Sequence, residues 1–210
     1  VFGNVVVKGL GLLAGIFVAR FLGKEIFGEY GMIKNTLTSV AVFSTFGLGY
    51  TSTKYIASAK SKEFFPIIIK NSIIITTVVS GTMALLLFFG SSYISIELLG
   101  NSDSIIPLKF TAMWIVFNAV STSQIGILSG FGLFKKMARV NFMVGVSTFT
   151  LSLIFTYYFA LTGALAALLL AQVINCILNY RLIRTVYKPR YTIDKRKNNE
   201  YSISKMVKFA

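Results

Sequence analysis

Six apolar stretches dominate this chain, at roughly residues 3–22, 30–52, 67–90, 105–131, 140–161 and 163–181. A helix needs about 20 residues to cross the hydrocarbon core, with a range of about 17–25, so each stretch is long enough. Transmembrane strands would need about 9–11 residues with strict apolar–polar alternation, and that alternation is absent. Backbone groups in lipid must be satisfied within their own segment, which leaves helices. Composition agrees. Of the 210 residues, 55% are hydrophobic and only 13% charged, against about 45–50% and about 25% in soluble domains. A body this small cannot hide so much apolar surface, and the excess must face lipid. The fold class predicted is all-α: a polytopic membrane protein with a six-helix transmembrane bundle over residues 1–181 and short, antiparallel connections.

The only extended polar segment is "RLIRTVYKPRYTIDKRKNN", 181–199. It predicts a basic cytoplasmic linker over 182–204, held near anionic headgroups. No aromatic stacking platform accompanies it, so nucleic acid is not an expected partner. Residues 205–210 read as the start of a further helix, and the chain as an internal piece of a longer protein. Its apolar start lacks the charged n-region and cleavage pattern of a signal peptide.

Orientation follows from the Lys/Arg bias of short loops. With a cytoplasmic N-terminus, seventeen of the 21 basic residues lie inside; Arg20, Lys24, Lys34 and Lys109 lie outside. That orientation makes "VARFLGKEIFGEYG", 18–31, an external hairpin reversing at its glycines, with Tyr30, Tyr93, Tyr157 and Tyr158 as an interfacial aromatic set.

Catalytic chemistry is poorly supplied. There is no histidine, and Cys176 is the single cysteine. The seven acids (Glu25, Glu29, Glu63, Glu97, Asp103, Asp194 and Glu200) fall in predicted loops or at helix ends, not mid-membrane where a proton relay would sit. No metal-ligand cluster is present, and no cofactor is expected. "GLGLLAG", 9–15, has the wrong spacing for a dinucleotide loop; it reads instead as close helix packing through Gly11 and Gly15.

Polar residues at helical spacing carry more information. The stripes are Asn4, Lys8, Gly11, Gly15 and Ala19; Lys34, Thr38, Thr45 and Ser52; Thr111, Trp114, Asn118, Ser121, Thr122 and Ser129; Asn141, Gly145, Thr148, Ser152 and Thr156; and Gln172, Asn175 and Asn179. Converging stripes would line a hydrated cavity. A single Ser or Thr is more simply explained by a bond to its own i−4 carbonyl. Asn118, Gln172, Asn175 and Lys34 cannot be satisfied so locally. Lys8, Lys34, Lys70 and Lys109 lie within a turn or two of helix ends, so snorkelling to the interface stands beside a cavity role. Trp114 could stack on a sugar ring, and core packing is its simpler role. Lysines without an embedded carboxylate favour an anionic substrate.

"LLAGIFVARFLGKEIFGEYGMI" followed by "STFGLGYTSTKYIA" resembles the N-terminal region of bacterial polysaccharide-biosynthesis flippases. These are the O-antigen-type lipid-linked oligosaccharide exporters of the multidrug/oligosaccharidyl-lipid/polysaccharide superfamily. The matching elements are "ARFLG", 19–23, "FGEYG", 27–31, and "FGLG", 46–49; later helices match in spacing and hydropathy only. The resemblance implies the first of two six-helix bundles around a cavity of alternating access, in the bacterial inner membrane. It implies an undecaprenyl-pyrophosphate-linked glycan as substrate, and protein partners in a polysaccharide assembly complex. Lys8 and Lys34, by position, are its candidate basic cavity residues, with Asn118, Trp114, Gln172 and Asn175 as further substrate contacts. Three rival readings are a cation-coupled small-molecule antiporter of the same superfamily, a membrane glycosyltransferase or ligase using Glu25 or Glu29, and a non-transporting scaffold.

Overall fold

The structure is a computed structural model, and it describes residues 2–45, 47–59, 61–98, 100 and 105–186. Among these residues there are helices and turns but no strand. The elements are α1 (Phe2–Thr45), α2 (Leu48–Ala57), α3 (Phe65–Tyr93), α4 (Ile105–Gly130) and α5 (Phe134–Val186). A 3₁₀ turn, Lys62–Phe64, leads into α3, and a π turn, Ile94–Leu98, extends it. Pro66 sits in the first turn of α3, where its missing N–H is no loss. The α4–α5 corner is closed by the Leu133 amide donating to the Leu128 carbonyl at 3.2 Å and Gly132 donating to Ser129 at 2.9 Å. Gly132 has φ 70°. This left-handed residue lets the last carbonyls of α4 find donors without lengthening the loop.

The six apolar stretches do not form six separate helices. They lie on four long helices and one short one, and two of the long helices are broken. At about 1.5 Å per residue, the 44-residue α1 and the 53-residue α5 are far longer than a ~30 Å hydrocarbon core. Gly23 (φ 72°, ψ 173°) interrupts α1, and Ala160 (φ 45°, ψ −127°) interrupts α5. At Ala160 the chain folds back. A Cβ on Gly163 would stand 2.6 Å from the Phe155 carbonyl carbon and 2.9 Å from the Phe159 Cβ. A continuous helix would hold residues 155 and 163 about 12 Å apart along its axis.

Several boundaries differ from the sequence expectation. The polar stretch after Gly23 is helical, and the glycine break alone replaces the expected loop; Gly28 and Gly31 stay in helix. The second apolar stretch is cut after Thr45, and α2 begins behind Gly47, whose φ is 69°. The last turn was expected between the stretches ending at 161 and starting at 163, but the break is at Ala160. Helix α5 continues to Val186, beyond the expected end at 181. The linker from 187 to 204 and the further helix at 205–210 lie outside the described residues.

Packing divides the interior into two apolar clusters. One holds Val18, Leu22, Tyr30, Ile33, Leu37, Leu87, Leu108, Ile115 and Leu165, around the two breaks. The other holds Leu48, Ile56, Ile68, Ile75, Ile127, Leu128 and Ile183, around the α4–α5 corner. Tyr30 is therefore a core residue, 8% exposed, and not a member of the interfacial set; Tyr93, Tyr157 and Tyr158 are 69%, 68% and 71% exposed. Ring pairs Phe17–Phe149 (6.2 Å) and Phe21–Tyr157 (5.7 Å) tie the first half of α1 to α5. Three helical segments, Phe65–Glu97, Ile105–Gly130 and Phe134–Val186, are long and apolar enough to cross a membrane. Their outer faces carry exposed Leu85, Leu86, Phe89, Ile106 and Phe159. The apolar excess seen in the composition lies there.

Candidate functional site

Along α4 the side chains change character in order. Leu108, Ala112 and Ile115 belong to one apolar cluster, and Ile127 and Leu128 to the other. Between them the buried polar residues are Ser121, Ser123 and Gln124. α3 repeats the pattern, with Ile75 and Leu87 in opposite clusters and buried Thr76 and Ser80 between them. On α5 the Asn179 amide donates to Asn175 Oδ1 at 2.9 Å, and Cys176 lies against Gln124 and Ser121. Ser52 and Ser123 hydroxyls meet at 3.3 Å across α2 and α4. A polar layer thus crosses the bundle between two oily ends. The Ser121 hydroxyl and the Gln124 side chain are buried there beside the Cys176 sulfur.

Two grooves with polar residues in their linings open on the flanks of the bundle. The first, about 300 Å³, lies between the starts of α1 and α5 and is lined by Lys8, Gly11, Ala14, Asn141, Val144, Gly145, Thr148 and Phe149. Here the stripe of the first helix meets the stripe Asn141–Gly145–Thr148. Gly11 and Gly15 do not pack a neighbouring helix closely: nothing lies within 4 Å of the position a Cβ would take on either. Gly11 instead leaves the groove open beside the Lys8 ammonium. Close small-residue packing occurs elsewhere. A Cβ on Gly126 would come within 2.9 Å of the Gly49 carbonyl carbon, and one on Gly130 within 2.7 Å of the Ile56 Cβ. Those glycines let α2 lie directly on α4.

The second groove, about 310 Å³, is lined by Thr45, Gly47, Gly49, Tyr50, Thr53, Thr122, Ile125, Gly126 and Ser129. It combines residues of two predicted stripes, Thr45 of one and Thr122 and Ser129 of the other, with an aromatic ring outside both.

The remaining predicted residues are dispersed. Lys34 is exposed on α1, its ammonium 5.8 Å over the Tyr30 ring, and it does not line the Lys8 groove. Trp114 is half-buried and packs on the apolar cluster around the breaks, which is the core role. Asn118 and Gln172 are half-buried, and Asn175 accepts from Asn179 within the polar layer. The side chain of Asn4 lies outside the described residues. Many hydroxyls serve their own helix, including Thr38 to Lys34 (3.0 Å), Thr122 to Asn118 (2.9 Å) and Thr148 to Val144 (2.8 Å). The sequence reading missed the α3 face Ser72, Thr76 and Ser80 and the buried Gln124. The four-residue spacing 72, 76, 80 was the available signal.

Residues 1–209 match the family described as polysaccharide biosynthesis protein. No curated protein and no solved structure matches the chain. The match covers nearly every residue, and it accords with the apolar helices that enclose a polar interior. This chain belongs to the polysaccharide biosynthesis protein family.

Proposed function

We propose that this chain is the first membrane bundle of a flippase that carries undecaprenyl-pyrophosphate-linked oligosaccharides across the bacterial inner membrane. In this reading the breaks at Gly23 and Ala160 divide the two longest helices, so that the helical segments make six crossings. The N-terminus and the basic stretch after Arg181 are cytoplasmic, as the seventeen-to-four bias of basic residues favours. Membership of the polysaccharide biosynthesis family supports the class.

The observation that carries the mechanism is the Lys8 groove. A pyrophosphate cannot cross ~30 Å of hydrocarbon unaided. The Lys8 ammonium can pair with it, while Asn141 and Thr148 line the same groove and offer neutral polar contacts. The polyprenyl chain stays in lipid. Lys34 stands apart, so the phosphate assignment rests on Lys8, and Lys34 is its internal comparison.

The test is complementation of a flippase-null strain with the intact protein. Charge-assisted hydrogen bonds contribute about 1.5–3 kcal/mol. Lys8→Gln should therefore lower glycan export by roughly ten-fold or more at unchanged protein level. Lys8→Arg should retain most export, and Lys8→Glu should be worse than Gln. Full export by Lys8→Gln would remove the assignment. Orientation is read separately. With Cys176 replaced, Lys24→Cys should react with an impermeant thiol reagent in intact cells, and Arg196→Cys should not. The reverse pattern would overturn the topology.

A further inference from the structure

We infer that the groove at Tyr50 is a subsite for the neutral sugar rings of a glycan. Tyr50 is 84% exposed at the start of α2, yet it lines the groove instead of standing alone on an outer face. Two features of the chain open the space. Gly47, in the left-handed region at φ 69°, turns the chain between α1 and α2. Gly49 and Gly126 then bring α2 onto α4 with no side chain between them. At about 310 Å³ the groove reaches the range of small-molecule sites, about 300–1,000 Å³.

The chemistry of the lining selects the ligand class. The Thr53 hydroxyl donates to the Gly49 and Gly126 carbonyls, both at 2.9 Å. Thr122 donates to Asn118 at 2.9 Å, Thr45 to Val42 at 3.1 Å, and Ser129 faces the Met137 sulfur at 3.9 Å. Their protons are committed, so these oxygens are left to accept. A ligand must then bring its own donors, as a polyol does. Among the described residues no Lys or Arg lines the groove, which disfavours a phosphate. Tyr50 supplies a π-face, and the C–H face of a pyranose is the complementary surface. The Lys8 groove has the opposite chemistry, a cation beside neutral polar groups. The inference rests on the flippase reading for the source of the glycan and not for the binding chemistry itself.

The test uses full-length protein in nanodiscs and saturation-transfer NMR. The probe is the host's own repeat-unit oligosaccharide, released from its lipid-linked pool by mild acid. Wild type, Tyr50→Phe and Tyr50→Trp should bind it saturably. Tyr50→Leu, which keeps an apolar side chain but no ring, should weaken binding at least ten-fold. Tyr50 is exposed, so these variants keep their fold, and a thermal melt of each checks this. Absence of saturable binding by the wild type, or equal binding by Tyr50→Leu, overturns the subsite. Export by the wild type in the null strain is scored separately. Export with unaltered Tyr50→Leu binding sinks the subsite alone, whereas ring-dependent binding without export sinks the flippase reading alone.

Discussion

Gly23 and Ala160 break the two longest helices in different ways. At residue 23 the chain uses a glycine for conformation: φ is 72° and the space around it is empty. At residue 160 an alanine takes the left-handed position, φ 45°. The glycine lies three residues later and serves packing, because Gly163 is pressed against the Phe155 carbonyl. One break is permitted by backbone freedom, and the other is held by contact between the two halves of α5. A left-handed L-residue costs roughly 1–2 kcal/mol, so the packing of α5 on itself has to offset that at Ala160.

This contrast orders four expected outcomes. Gly163→Leu should have the largest effect. Its side chain would overlap the Phe155 backbone, which cannot move as a flexible side chain would, and a loss of ~3 kcal/mol or more is expected. Size-exclusion profiles of a fluorescent fusion should show aggregated protein, and a monodisperse, wild-type-like peak would refute the hairpin packing. Gly23→Ala should come next, losing about 1–2 kcal/mol to φ strain alone, read as a lower melting temperature in detergent. If Gly23→Ala melts like the wild type, the break there does not depend on glycine.

Ala160→Gly should act in the other direction. Relief of strain is reduced by the extra entropy of glycine in the unfolded chain, about 0.5–1 kcal/mol. The net gain is on the order of 0.5 kcal/mol, and a clear fall in melting temperature would contradict it. The least destabilising change is the double variant Gly11→Ala with Gly15→Ala. Neither Cβ meets an atom within 4 Å, and alanine suits a helix interior, so stability should be kept or rise by up to about 2 kcal/mol for the pair. A marked loss of folded protein would restore the close-packing role that the sequence suggested.

The distribution of polar residues was legible only in part. Lys8 and the stripe from Asn141 to Thr148 were readable, because four- and three-residue spacing forces residues onto one face whatever the neighbours do. That these two stripes meet each other, and not the one holding Lys34, depends on which helices pack together. Tyr50 lies outside every polar stripe and outside the aromatic set read from the sequence. Its groove exists because Gly49 and Gly126, 77 positions apart, lie against each other.

Helix formation and the placement of apolar residues against lipid were determined by the sequence alone. Runs of about 20 apolar residues have few alternatives once backbone amides must be satisfied without water. The breaks were decided by the tertiary structure. Residues 18–31 carried glycines and charges that signalled a loop, yet everything after Gly23 stayed helical, because Tyr30 and Ile33 gain burial by remaining in register. Residues 155–163 offered only Gly163 as a turn signal, and the reversal went to Ala160 so that Gly163 could admit the Phe155 backbone. Periodicity and length are local properties of a chain. Which residue bends is settled by the contacts made on either side of it.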